Sequence, residues 1–296
     1  MAVLQWTLLA TLLAFFSADP AATVIVSVNG TPITKGDLDF AAMQLGMTDD
    51  QKIHEQPKLI EQLIERQLIR KFLSSKKIDP VSAEVQEQIA RAEELVRKRG
   101  EDPKTFLPKI GYTKTRLKNE LELPSAWRAY VRRTVTPEQF KEYFNDHHQE
   151  FDGTQLRGSQ IFLKLPKPPT DSDVATKTQA LADLRRQILD KTISFADAAK
   201  QHSEAPTKVQ GGDIGLFGWR GKLPPTVSKA AFDLKVGELS EPIQSPFGMH
   251  LIQVTERHPG DLSLEDVRPI IFDRLSQDLW KATVADERAT AKIGQK

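Results

Sequence analysis

Apolar and polar positions along this 296-residue chain change rhythm near Gly153. Upstream, Val24 to Thr34 alternates around Asn29-Gly30, a pair suited to a two-residue turn with positive φ, and so predicts a hairpin. Thr34 with Asp37 three residues on predicts a capped helix through about Met47. Pro57 then stands where a first helical residue is expected. Ile60, Ile64, Leu68 and Phe72 follow at four-residue spacing, and Leu59 and Leu63 widen that stripe into a core-facing helix. Val85, Ile89, Ala92 and Val96 predict a helix from about Ser82 to Lys98, ended by Gly100. Shorter helices are expected around Phe106 and from Thr113 to about Arg133. Thr136-Pro137-Glu138-Gln139 combines an N-cap with a first-turn proline and opens a helix through Phe140, Tyr143 and Phe144.

Beyond Gly153 the pattern shortens. Leu156 to Leu165 reads as a strand broken by Pro166 to Pro169. A helix from about Asp173 to Lys191 and a second one opened by Ser194 come next. Glycine and proline punctuate the chain from Gly211 on, with short strands near Glu241 to Ser245 and Gly248 to Arg257. Ser263 caps a final helix carrying Val267, Ile270, Ile271, Leu275, Leu279 and Trp280, a stripe too wide for a solvated tail. No internal repeat or low-complexity tract is present.

Composition narrows the function. Lys and Arg number 41 against 40 Asp and Glu, which argues against nucleic acid as the main partner, because phosphate binding needs a basic surplus. There is no cysteine, so disulfides, thiolate nucleophiles and Cys-ligated metals are excluded. His147-His148 beside Glu150 is a poor metal site, since adjacent helical side chains diverge by about 100°. Lys164, Lys167 and Arg185-Arg186 read as solvated faces. His202-Ser203 lacks the setting of a hydrolase nucleophile.

The first 22 residues have an apolar core from Leu8 to Phe16 followed by small residues, as in a secretory signal. A retained membrane anchor is the alternative, for Ala2 to Ala18 is about 17 residues, the short limit for spanning. Either way the chain is expected to be exported, to the periplasm or cell envelope.

Gly211-Gly212-Asp213, the Gly215-Leu216-Phe217 step and Phe247-Gly248-Met249-His250 together resemble the parvulin family of peptidyl-prolyl isomerases, over about Gly153 to Gly260. The preceding part, with its Asn-Gly hairpin, T-x-x-D helix start and paired Leu-Ile steps, resembles the helical region of exported foldase-chaperones of the SurA and PrsA type. The resemblance implies an α+β protein. Its expected parts are a leader at 1–22, a helical unit at 23–152, a parvulin-like domain at 153–260 with a small antiparallel sheet flanked by helices, and a C-terminal helix at 261–296 that completes the helical unit.

It also implies a reaction. Rotating an X-Pro bond crosses a barrier of roughly 18–20 kcal/mol, because amide resonance is lost. Trans is favoured by only about 0.5–1 kcal/mol, so both isomers are populated. Catalysis needs no nucleophile, metal or cofactor, only an apolar cup for the proline ring and polar groups that favour the twisted amide. In parvulins the polar part is commonly two histidines on neighbouring strands and a Cys or Asp facing the substrate carbonyl. Here the first histidine position is Gln160, the second is His250, the Cys/Asp position is Ala205, and Ser245 is the hydroxyl residue near His250. Ile214, Leu223 and Val227 correspond to the cup. The resemblance thus implies a foldase that binds unfolded or proline-containing polypeptides, with isomerase activity weakened at Gln160 and Ala205. A non-enzymatic chaperone is the alternative.

Overall fold

The structure, a computed structural model, describes residues 20–295. The apolar leader predicted at 1–22 lies, up to residue 19, outside the described residues. Among those described, no helix is long and apolar enough to cross a membrane.

In chain order the chain forms β1 (Val24–Val28), β2 (Thr31–Thr34), α1 (Lys35–Gln44), α2 (Asp49–Lys76), α3 (Ser82–Lys98), α4 (Pro103–Lys109), α5 (Lys114–Thr134), α6 (Pro137–Asp146) and α7 (His148–Phe151). Then come β3 (Gln155–Lys164), α8 (Asp171–Leu189), α9 (Phe195–His202), a 3-10 turn (Pro206–Gln210), β4 (Asp213–Gly218), α10 (Pro225–Phe232), β5 (Ile243–Ser245), β6 (Gly248–His258), α11 (Leu264–Thr290) and β7 (Ile293–Gln295). Asn29 and Gly30 take φ of 50° and 82°, the left-handed pair that the β1–β2 turn requires. Capping boxes at Thr34/Asp37, Thr136/Gln139 and Thr170/Asp173 start α1, α6 and α8.

One expected boundary is corrected. Helix α2 begins at Asp49, eight residues before Pro57, because Thr48 and Gln51 form a further capping box. Pro57 therefore lies inside the helix, and the Ile53 carbonyl has no i+4 amide to accept from. Strand β4, helix α10, strand β7 and the 3-10 turn were also not expected.

The chain divides into two compact units, one taking the residues up to Val135 and from Arg274 on, the other Thr136–Asp273. In the first, an antiparallel sheet of order β2-β1-β7 buries Val26, Val28 and Ile33. The helical core centres on Phe40 stacked 4.1 Å from Tyr112, with Met43, Val96, Leu107 and Leu121 around them. Asp37 is buried beneath, accepting from the Tyr112 hydroxyl (2.8 Å), Arg116 (2.7 Å), and the amide and hydroxyl of Thr34 (2.8 and 2.9 Å). So many donors satisfy a buried carboxylate that would otherwise be costly. The late part of α11 belongs to this unit, where Trp280 meets Trp127 edge-on at 5.1 Å.

In the second unit an antiparallel sheet runs β4-β3-β6-β5. Two-residue alternation splits its side chains between two cores. Ile161, Leu163, Met249 and Leu251 pack against Leu181 and Leu184 of α8 and Phe195, Ala198 and Ala199 of α9. On the opposite face Leu156, Ile252 and Val254 pack with Ile214 and Phe217 of β4 and Val227, Ala231 and Phe232 of α10.

Candidate functional site

The register of β3 against β6 brings the predicted polar residues together. Phe162 pairs with His250 and Gln160 with Ile252, so Gln160 lies diagonally from His250 on the same face. His250 Nδ1 is 3.4 Å from Gln160 Oε1, and His250 Nε2 is 2.8 Å from Ser245 Oγ. An amide oxygen cannot donate, so a proton on Nδ1 suits the Gln160 contact, and the Ser245 hydroxyl then lies between Nε2 and the Gly248 carbonyl, 3.2 Å away, as its two possible acceptors. Ser245 Oγ also accepts from the Phe247 amide at 3.1 Å, which locks the β5–β6 turn to the chain of bonds. His250 is only 4% exposed, and the Phe162 ring sits 4.8 Å from its own. Burial pushes its pKa down from 6.5 to about 4, so the ring is neutral at physiological pH.

The predicted cup residues share one apolar cluster. Ile214 is buried on β4, Val227 is fully buried on α10, and Leu223 is half-buried between them. Asp213 shapes this side of the site. Its carboxylate accepts from the Gly215 amide (2.8 Å) and pairs with Arg157 (2.8 Å), and the Arg157 hydrogen bond holds its pKa below the usual range.

Ala205 is buried at the start of the 3-10 turn and carries no polar atom toward the chain of bonds. Glu204 does not stand in for it. Its Oε2 accepts from the Lys164 amide (2.8 Å) and its Oε1 pairs with Lys177 at 3.3 Å. Gly212 follows the turn and passes close to β3, its carbonyl accepting from the Gln160 amide at 2.9 Å. With φ of 83°, and with a Cβ there falling 2.5 Å from the Gln160 carbonyl oxygen, only glycine fits.

Sequence reasoning did not single out Phe162 as a neighbour of His250, or Gly212 as a partner of the Gln160 backbone. Alternation from Gln160 puts Phe162 on the same face, so the strand register was the missing piece. Arg185 is also more engaged than a solvated face implies: half-buried, it donates to the Ser240 carbonyl (2.9 Å) and pairs with Glu241 (2.9 Å). His147 stacks on Tyr143 while His148 pairs with Asp152 at 3.0 Å, so the two rings serve different partners.

Comparison with known proteins finds similarity over this part of the chain. Residues 161–256 match the family model described as Rotamase: PPIC-type PPIASE domain. Over 239 residues the chain is 29% identical to a foldase protein PrsA of Geobacillus kaustophilus (strain HTA426), covering 80% of this chain and 77% of that one. Over 144 residues it is 32% identical to a chaperone SurA of Bordetella avium (strain 197N), covering 47% of this chain but only 28% of that one. A solved structure of the peptidylprolyl isomerase PrsA from Bacillus cereus is 25% identical, with a TM-score of 0.49, covering 91% of this chain and 92% of that one.

Proposed function

We propose that this chain, whose residues 161–256 are a PPIC-type, that is parvulin-type, peptidyl-prolyl isomerase domain, is an exported foldase that binds X-Pro segments of folding polypeptides and turns them between cis and trans. The observation that carries the reading is the buried Ser245–His250–Gln160 chain of hydrogen bonds on the sheet face that also carries the Ile214, Leu223 and Val227 cluster. In this reading Ile214, Leu223 and Val227 form the cup for the proline ring. The neutral chain supplies fixed dipoles beside the rotating amide. Fixed dipoles suit the reaction because the twisted amide differs from the planar one in where its electrons sit, while its net charge is unchanged.

Two positions temper the rate. Gln160 replaces a histidine with a neutral amide, and Ala205 removes the polar group expected to face the substrate carbonyl. The resulting centre keeps the binding geometry and part of the polarity. The N-terminal apolar segment directs export, and intact-mass measurement of the secreted protein distinguishes a cleaved leader from a retained membrane tether.

The deciding test is isomerisation of a proline-containing peptide, followed by exchange spectroscopy, together with a proline-limited refolding reaction. Uncatalysed turnover takes tens of seconds. Micromolar protein is expected to shorten it several-fold, and His250→Ala to abolish most of the gain. Turnover equal to background in both assays rejects the reading.

A further inference from the structure

Strand β4 covers only the first half of β3. Its register with β3 runs from Gln155↔Gly218 to Ser159↔Asp213 and stops there, after a bulge. The edge of β3 from Gln160 to Lys164 carries the groups that face His250 and, among the described residues, faces no strand on that side, yet its alternate amides are satisfied. Gln160 N–H donates to the Gly212 carbonyl (2.9 Å), Phe162 N–H to Ser203 Oγ (3.1 Å), and Lys164 N–H to Glu204 Oε2 (2.8 Å). The Phe162 carbonyl accepts from the Glu204 amide at 2.7 Å. Residues 203, 204 and 212 thus complete the ladder at alternate positions, using one hydroxyl, one carboxylate and two backbone groups.

Ser203 has a second task. Its Oγ also accepts from the Ala205 amide at 3.2 Å, so one hydroxyl, itself only 3% exposed, ties β3 to the residue at the third position of the polar centre. We infer that Ser203 is a positioning residue, whose two accepted hydrogen bonds set Phe162 against His250 and fix Ala205 relative to both, with Glu204 clamping the strand two residues on. This inference rests on the isomerase reading above. Its structural half is measurable without any turnover.

In the full-length protein, Ser203→Ala removes the acceptor of the buried Ala205 amide and of the part-buried Phe162 amide. Hydrogen exchange at Phe162 and Ala205 is expected to accelerate about tenfold, the size of one lost buried hydrogen bond. Amides of α3, in the other unit, serve as the internal control and stay unchanged. In peptide isomerisation kcat is expected to fall by a similar factor while KM stays within about twofold, because the substrate cup is untouched. Ser203→Thr keeps the hydroxyl and restores both. Should Ser203→Ala not fold, Glu204→Ala, which alters a surface side chain, is expected to speed exchange at Lys164 and lower kcat with KM unchanged. Exchange at Phe162 and Ala205 unaltered in Ser203→Ala, or at Lys164 in Glu204→Ala, overturns the inference. So does a loss in Ser203→Ala that Ser203→Thr fails to restore. A wild type without turnover rejects the isomerase reading, while the exchange result still decides whether Ser203 positions the strand.

Discussion

Burial keeps the His250 ring neutral down to a pH of about 4. In the unfolded chain the same ring titrates near 6.5. Between those values the unfolded state binds the extra proton, so the stability from a neutral His250 is fully present above about pH 6.5 and is lost as pH falls toward 4. The depressed pKa is worth at most on the order of 3 kcal/mol. Urea midpoints are expected to drop across that window in the wild type and to flatten in His250→Gln. A variant whose midpoint still drops as steeply would show that other groups carry the acid sensitivity. Isomerase activity should hold level from pH 8 to about 5. Gln160 and Ala205, proposed above to temper the rate, invite the opposite experiment. Gln160→His with Ala205→Asp is expected to raise kcat/KM at least about tenfold, a modest gain beside the roughly 10²–10³-fold that one well-placed transition-state donor supplies. No gain would mean that Ala205 does not face the substrate.

At the level of elements, what the sequence disclosed followed the strength of local signals. The capping boxes at Thr34 and Thr136 and the Asn29-Gly30 turn are self-contained, and each appears where its residues predict it, whereas the Thr170 box went unread and α8 starts at Asp171. Strand β4 was not expected, because Asp213–Gly218 carries two glycines in six residues and Gly215 takes a φ of 65°. It is held by pairing with β3, a long-range term with no local signature. Helix α10 hid behind Pro224 and Pro225, which read as breakers although a proline suits the first helical turn. The candidate site divides the same way: His250 and Ser245 stand out in the sequence, while Phe162, Ser203 and Gly212 become neighbours only through register. Pro57 was misread for a related reason, since an equally good cap at Thr48 competes with it. That error yields a prediction. Pro57→Ala returns an amide to the Ile53 carbonyl within a 28-residue helix and is expected to stabilise the protein by about 1–3 kcal/mol. Calorimetry would read this as a melting point several degrees higher. An unchanged value would show that water already serves that exposed carbonyl as well as an amide does.

Across the whole chain the two units differ in how their parts are distributed along the sequence, and this sets what fragments can do. The unit at Thr136–Asp273 is one continuous stretch holding the four-stranded sheet, both of its apolar cores and the Ser245–His250–Gln160 chain. The other unit is split. Strand β7 supplies one edge of its sheet by pairing Ser27 with Gly294 and Val28 with Ile293. The late turns of α11 bury Val284, bring Trp280 onto Trp127 and pair Glu287 with Lys71. Residues 136–273 expressed alone should therefore fold cooperatively and retain most of the isomerase rate on a short peptide. Residues 20–135 alone lack the strand that closes β1 and the tryptophan that covers Trp127, which leaves an unpaired edge and exposed apolar surface, both aggregation-prone. Joining 20–135 to 274–295 through a flexible linker should restore a single sharp melting transition. If residues 20–135 melted cooperatively without that segment, β7 and the end of α11 would be ornaments on a unit complete without them. The C-terminal helix would then have to be understood by some role other than closing the fold.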